Sequence, residues 1–489
     1  MTSTLIHMTR VRPLLQTLTL ACTLTLPATA RQSGSQTARL DSLIQREMKV
    51  QQIPGVAVAV IEDGKMVLAR AWGYSNLETG TPLDTSAVFE LASVTKQFTA
   101  AALLLLAEEG RVRLDDPVAK YLEGPPETWA KITVRMLLTH TSGLPVDGFP
   151  DYQGSPLLLI TTRQAFEFIA KQPLMYPPGE GAFYSDAGYF LAGMVIEEAS
   201  GQSYRAFMQR IFDQAGMTSS SILDKRRVLK GRVSTYELRD GQLLNWRRDW
   251  DHELPSFFGV FSTLNDLARW DLALRRATLL SPKSLEEMWT PARLANGQVA
   301  RVFDQLHGLG WTLGDVAGQR TVGHGGASGT YFLRFVDRPV SIVVLTNRGV
   351  NGRNPMLLAE SVAGTLYPEL KPPQLAEPGT DPDPALTTKV TQLVADLVAK
   401  RESQVTTAAY RTWYNTSPEA WRNLVGNALA RAGALKHVMT VTVGGKSLWG
   451  MEPIERLVHY VMPTDTVTPR LTVGVTKAGE IARVDFAPR

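Results

Sequence analysis

The sequence predicts an α/β fold: one sheet flanked by helices, built from both ends of a main domain around an inserted helical domain, with a small α+β domain appended. Three observations carry this reading. Apolar alternation marks a strand from Val56 to Ile61 and a returning strand from Met66 to Trp72. Strand patterning resumes at Arg320 to Asn347, where Ser341 to Thr346 is strongly β-prone, while helical and loop segments fill the chain between, to about residue 300. Pro368, Pro372, Pro373, Pro378, Pro382 and Pro384 then crowd one stretch, and a second series of helices and strands follows.

Size and composition agree with this architecture. The chain has 489 residues, 44% hydrophobic and 20% charged, enough for more than one globular domain with a sizeable core. Its net charge of +4 includes Arg10 and Arg12 of the first thirty residues, which hold no acid, so the remainder carries +2. That balance gives no footprint for nucleic acid.

Residues 1–30 read as a signal peptide. Arg10 and Arg12 precede an apolar stretch from Leu14 to Leu26, and Ala28-Thr29-Ala30 supplies the small residues for cleavage after Ala30. The stretch is shorter than the roughly 20 residues of a spanning helix, so no stable membrane span is expected after cleavage, and export to the periplasm or beyond is. The only cysteine, Cys22, makes a poor lipoprotein site because the apolar run continues past it. The mature chain therefore has no disulfide and no cysteine nucleophile.

Thr37 to Gln51 suits an amphipathic helix, and Glu62-Asp63-Gly64-Lys65 is the turn of the first hairpin. Ser93 to Glu109 reads as a helix stopped by Gly110, buried because Leu103 to Leu106 is apolar on every side. The main domain is expected over 31–366, a linker with few contacts across it over 367–384, and the small domain over 385–489. There Ala385 to Arg401 is helical, Ser417-Pro418-Glu419 opens a helix that Gly433 could end, and strands fall near 437–443, 456–462, 470–476 and 481–486. The small domain's shape resembles cystatin-like or nuclear-transport-factor-like folds, without a chemical motif.

The seven histidines show no zinc-ligand spacing, and no GxSxG elbow, Walker loop or dinucleotide fingerprint is present. No metal or cofactor is expected. What remains is Ser93-Val94-Thr95-Lys96, the sequence's one Ser-x-x-Lys. On a helix these two side chains are neighbours, and the helix N-terminus favours a developing oxyanion. A lysine acts as base toward a hydroxyl only if desolvation lowers its pKa from ~10.4 toward neutrality, which the leucine-rich helix can provide. The spacing is common by chance, and a capping serine followed by a surface lysine satisfies it equally.

Context separates the two. Leu91-Ala92-Ser93-Val94-Thr95-Lys96-Gln97-Phe98-Thr99, Leu137-Leu138-Thr139-His140-Thr141-Ser142-Gly143-Leu144-Pro145, Pro177-Pro178-Gly179-Glu180 leading to Tyr184-Ser185-Asp186, then Gly259-Val260-Phe261-Ser262-Thr263 and His324-Gly325-Gly326 occur in that order. Together they resemble the class C β-lactamase and penicillin-binding-protein-like serine hydrolases, over about residues 37 to 365. The resemblance implies a β-lactamase/transpeptidase-like sheet, Ser93 as nucleophile, Lys96 as its base or proton partner, and Tyr184 as proton shuttle to the leaving group. On the substrate-binding side it implies Asp186, His324, Gly326 and Ala327. His324-Gly325-Gly326 takes the place of the family's Lys-Thr-Gly on an edge strand, Gly326 lets substrate approach the backbone, and the N–H groups of Ser93 and Ala327 form an oxyanion hole. His140 and Ser142 are read as a turn without catalytic role.

Two departures from the family pattern bear on substrate. Histidine at 324 lacks the fixed charge of lysine. Asp186 replaces asparagine and, beside Lys96, would hold that lysine charged. The expected substrate is a small-molecule ester, or a peptide-like amide as the rival; a D-peptide-processing peptidase, a β-lactamase and a non-catalytic scaffold are the alternatives. Oligomeric state is left open. Trp246, Trp250, Phe257 and Phe258 are expected to pack rather than to line a pocket.

Overall fold

The computed structural model describes residues 34–145, 159–224, 226–239, 241–246, 251–302, 305–349, 355–371, 380–416, 419–446, 453–463 and 470–487. The segment read as a signal peptide lies outside them. Helix α1 (Gly34–Gln51) leads into β1 (Gly55–Glu62), β2 (Lys65–Asn76) and the short β3 (Thr81–Pro82). Asp63 at φ 50° and Gly64 at φ 73° make the tight β1–β2 turn. A 3-10 turn at Ala92–Val94 runs into α2 (Thr95–Glu108), which ends before Gly110 at φ 71°.

The helical part follows as α3 (Val134–Leu138), α4 (Thr162–Ala170), α5 (Asp186–Ser200), α6 (Tyr204–Gln214), α7 (Leu264–Arg275) and α8 (Pro282–Met288). Each opens on a serine or threonine whose oxygen accepts a backbone N–H, at Thr133, Thr161, Ser185, Ser203, Thr263 and Ser281. The chain then returns to the sheet as β4 (Arg301–Val302), β5 (Gln305–His307), β6 (Thr312–Val316), β7 (Gln319–Gly326), β8 (Thr330–Phe335) and β9 (Val340–Thr346), before α9 (Pro355–Leu366). The return begins near 301 rather than 320, because β4 to β6 are short and weakly patterned.

The nine strands are ordered β4-β5-β6-β7-β8-β9-β1-β2-β3, with antiparallel pairing along the sheet. β1 is an interior strand, joined to β9 with Val56 opposite Thr346 and to β2 with Gly55 opposite Gly73. Both of its faces are buried, so its side chains alternate between two apolar layers. Val56, Val58 and Val60 pack with Leu40 and Ile44 of α1 and with Leu358 and Val362 of α9. Ala57, Ala59 and Ile61 face the larger core with Phe98 and Leu103 of α2. Leu103, Leu104 and Leu106 are at most 1% exposed, which matches a helix apolar on all sides.

The C-terminal module comprises α10 (Pro384–Val398), α11 (Ala408–Thr416), α12 (Glu419–Ala430) and an antiparallel sheet of β10 (Lys436–Lys446), β11 (Ile454–Val461), β12 (Arg470–Val475) and β13 (Ile481–Ala487) in that order. α11 is an addition to the sequence reading, and α12 ends at Ala430, short of Gly433. The cap expected at Ser417 and Pro418 lies outside the described residues. The linker differs from expectation in two respects. Pro368–Leu370 forms a 3-10 turn with Leu370 fully buried beside α9, and Pro384 starts α10 with Asp383 as its cap. Proline is tolerated in a helix's first turn because the N–H it lacks has no intrahelical partner there. Across this boundary Phe183 of the main domain sits in the module's core with Val390, Leu393 and Tyr460, and Arg483 Nη1 lies 3.0 Å from Asp315 Oδ2 on β6.

Candidate active site

Ser93 stands on the 3-10 turn before α2, half-buried, one residue after Ala92 at φ 46°. A non-glycine residue in the left-handed region is strained and must be held by its surroundings. Here the Leu91 N–H donates to the Val260 carbonyl at 2.8 Å, Thr330 Oγ1 donates to the Leu91 carbonyl at 3.0 Å, and Ser328 Oγ donates to the Glu90 carbonyl at 2.6 Å. The β7–β8 turn therefore grips the nucleophile's own segment. A Cβ on Gly326 would lie 2.1 Å from the Leu91 carbonyl oxygen and 2.3 Å from Thr330 Oγ1. The glycine is thus required by the close approach of Leu91.

Lys96, one turn on, is completely buried. Its Nζ donates to Ser93 Oγ at 3.2 Å and to the Phe257 carbonyl at 3.0 Å, and pairs with Asp186 Oδ1 at 2.7 Å. The Asp186 contact lacks a hydrogen bond's alignment and is held by charge. Nζ also lies 4.8 Å from the Tyr184 ring centroid and 5.4 Å from that of Tyr189. These partners are those of an ammonium, since a desolvated charge is tolerated only when paired and hydrogen-bonded.

Asp186 reaches Lys96 because the cap of α5 is its neighbour. Ser185 Oγ accepts the Gly188 N–H at 3.0 Å, which leaves the Asp186 carboxylate to the cleft. Tyr184 is half-buried and stacks on His140, ring centroids 4.5 Å apart at 29°. His140 adopts φ 61°, and its Nδ1 accepts the Ser185 N–H at 3.1 Å. It is the turn after α3 that was expected, but it also supports Tyr184, a role the sequence reading did not assign.

His324 lies on β7, which is internal to the sheet and not its edge. Pairing with β6 stops at Gly323 opposite Thr312, however, so His324 to Gly326 pair only with β8 and form a local edge. Ala327, just beyond, is exposed. His324 Nδ1 lies 2.8 Å from the Gly325 carbonyl, an acceptor only, so Nδ1 carries the proton; Nε2 is buried with no hydrogen-bond partner among the described residues. His307, given no role in the sequence reading, packs edge-on between the rings of His140 and His324, at 5.3 and 6.5 Å. Burial, with the charge of Lys96 adding to it, pushes His307 and His324 down to about 3; burial likewise holds His140 well below its ordinary value. All three are neutral. Only their convergence in space could have revealed His140 and His307, because they are 167 positions apart in the chain.

Phe257 and Phe258 are 3% and 4% exposed and pack as expected, although the Phe257 carbonyl serves Lys96. Trp246 is half-buried, and Trp250 lies outside the described residues. Among the described residues no group of three or more side chains could hold a metal ion, and no helix is long and apolar enough to cross a membrane. An open cavity of about 450 Å³ lies at the far end of α5, lined by Glu197, Glu198, Gly201 and Ser203, away from the Ser93–Lys96 pair.

A serine one turn from a buried lysine, between an antiparallel sheet and a helical layer, is the arrangement of serine hydrolases with the β-lactamase/transpeptidase fold. The chain belongs to the beta-lactamase family, whose model matches residues 40–366. It is 30% identical over 338 residues to penicillin-binding protein 4* of Bacillus subtilis, covering 63% of this chain and 71% of that protein. Among solved structures, EstCE1, a hydrolase with promiscuous acyltransferase activity, matches with a TM-score of 0.59 at 20% identity, over 68% of this chain and 98% of its own. The octameric penicillin-binding protein homologue from Pyrococcus abyssi matches with 0.59 at 22%, over 93% and 98%. These two likenesses concern the fold.

Proposed function

We propose that this chain is an exported serine hydrolase that cleaves a small ester through a Ser93 acyl-enzyme. The observation that carries the reading is Ser93 Oγ at 3.2 Å from the fully buried Lys96 Nζ. Ser93 Oγ attacks the ester carbonyl carbon, its proton passes to the Lys96–Tyr184 pair and on to the leaving alcohol, and water then releases the acid and restores Ser93. Developing oxyanion charge is assigned to the N–H groups of Ser93 and Ala327. Because Lys96 rests as an ammonium beside Asp186, acylation requires its deprotonation and an alkaline optimum follows.

An ester is favoured over an anionic β-lactam or peptide carboxylate because His324 is neutral and the Lys96 charge is matched by Asp186. A peptidase is the second reading, supported by 28% identity over 367 residues to a putative D-alanyl-D-alanine carboxypeptidase of Escherichia coli, covering 63% of this chain and 82% of that protein. A fluorophosphonate probe should add one adduct at Ser93, and Ser93→Ala should lose both label and esterase activity; undiminished turnover in that variant would sink the mechanism, and a wild type with neither label nor turnover would leave the scaffold alternative. Lys96→Ala should be nearly as damaging. Comparing kcat/KM for p-nitrophenyl butyrate with that for a chromogenic cephalosporin ranks the substrates. Export is checked by N-terminal sequencing, with Arg31 expected first.

A further inference from the structure

The segment carrying Tyr184 is wedged between two apolar clusters, and successive side chains go to opposite ones. Ala182 and Tyr184 pack with Leu294, Ala300 and Val302 of the main domain. Phe183 turns away into the C-terminal module, where it is 6% exposed in one cluster with Leu386, Val390, Leu393, Tyr460 and Leu471. Met175 and Tyr176 pack against the same cluster. The backbone of this segment is tied to His140: the Phe183 N–H donates to its carbonyl at 3.0 Å, the Tyr176 hydroxyl to the same oxygen at 3.1 Å, and the Ser185 N–H to its ring. The module also reaches the main sheet, through Arg483 and Asp315 on β6, the strand beside the one that bears His324.

We infer that the C-terminal module is a positioning part of the catalytic unit, which by burying Phe183 holds the backbone from which Tyr184 and Asp186 address Lys96. The inference rests on the proposed role of Ser93. Phe183 touches no reacting atom; it acts through its neighbour, and displacement of a catalytic group by about 1 Å costs on the order of a hundredfold in rate.

The test uses the full chain. Phe183→Ala should lower kcat for p-nitrophenyl butyrate by roughly 10- to 100-fold with KM changed less than about threefold, and slow fluorophosphonate labelling of Ser93 in proportion. Phe183→Leu, which still fills the module's core, should recover most of the loss. A folded Phe183→Ala protein with wild-type kcat, only melting earlier, overturns the inference. Should Phe183→Ala not fold, Arg483→Ala tests the same docking from the module: faster hydrogen exchange at 183–186 with reduced kcat supports it, and unchanged exchange and kcat overturn it. A wild-type chain that takes no label at Ser93 overturns the hydrolase reading and this inference together. A labelled wild type with an equally fast Phe183→Ala overturns the inference alone.

Discussion

Burying an ammonium is unfavourable unless it is hydrogen-bonded and paired, and Lys96 meets that condition with hydrogen bonds to Ser93 and the Phe257 carbonyl and with the charge of Asp186. The carboxylate is the one charged partner of the three. Asp186→Asn keeps the size and removes the charge. We expect the pH optimum for acylation to move downward, with activity at pH 7 preserved or raised, because the neutral amine then appears at lower pH. An unchanged pH–rate profile would refute the coupling. At Gly326 the expected effect is on the nucleophile's placement: Gly326→Ala sets a methyl 2.1 Å from the Leu91 carbonyl oxygen, so slower labelling of Ser93 should accompany a stability loss of roughly 1–3 kcal/mol by denaturant titration. Ser93, Lys96, Tyr184 and Asp186 were legible as motif residues. His140 and His307 were not, because a lone histidine in a turn or at a strand end carries no local signal of what it will touch.

Elements read well where one physical pattern dominated. β1 and β9 were clear because both bury long apolar runs, whereas β4, β5 and β6 contain too few residues for a period of two to show. What binds the helical layer to the sheet was invisible. Asp271 of α7 is fully buried, with Arg275 at 2.6 Å, Arg334 of β8 at 3.1 Å and Ser341 of β9 at 2.7 Å. Removing one member leaves the other charges desolvated and unmatched. Asp271→Ala should therefore cost about 3–5 kcal/mol in unfolding free energy, while replacing an exposed pair such as Arg163 and Glu167 should cost well under ~1 kcal/mol. Equal effects at the two sites would contradict this account.

At the scale of the whole molecule, three buried neutral histidines make stability depend on pH. Their native values lie below the ordinary 6.5, so the unfolded chain binds more protons once the pH drops under about 6.5. Stability is full above that point and falls toward pH 3, by up to ~1.4 kcal/mol per pH unit for each imidazole. Glu360, pushed up to about 7 by burial, acts in the opposite sense between about 7 and 4.5, so the net fall should steepen below 4.5. Guanidinium titrations at pH 8, 6, 5 and 4 read this directly, and His307→Leu should flatten the curve; a wild-type curve level down to pH 4 would be inconsistent with neutral burial. The second whole-molecule property is the join between domains. Proline density marked where the chain stops being regular, but not that the module beyond would fold back on Phe183. The sequence by itself determined the strands and helices with strong periodicity, the order of the motifs and the Ser93–Lys96 pairing, since these depend on residues within a few positions of one another. Tertiary structure alone decided that Leu91 requires the glycine at 326, that three histidines converge near Lys96, and that the module buries Phe183, next to Tyr184. Each of those contacts joins segments tens to hundreds of residues apart, where only packing selects the partner.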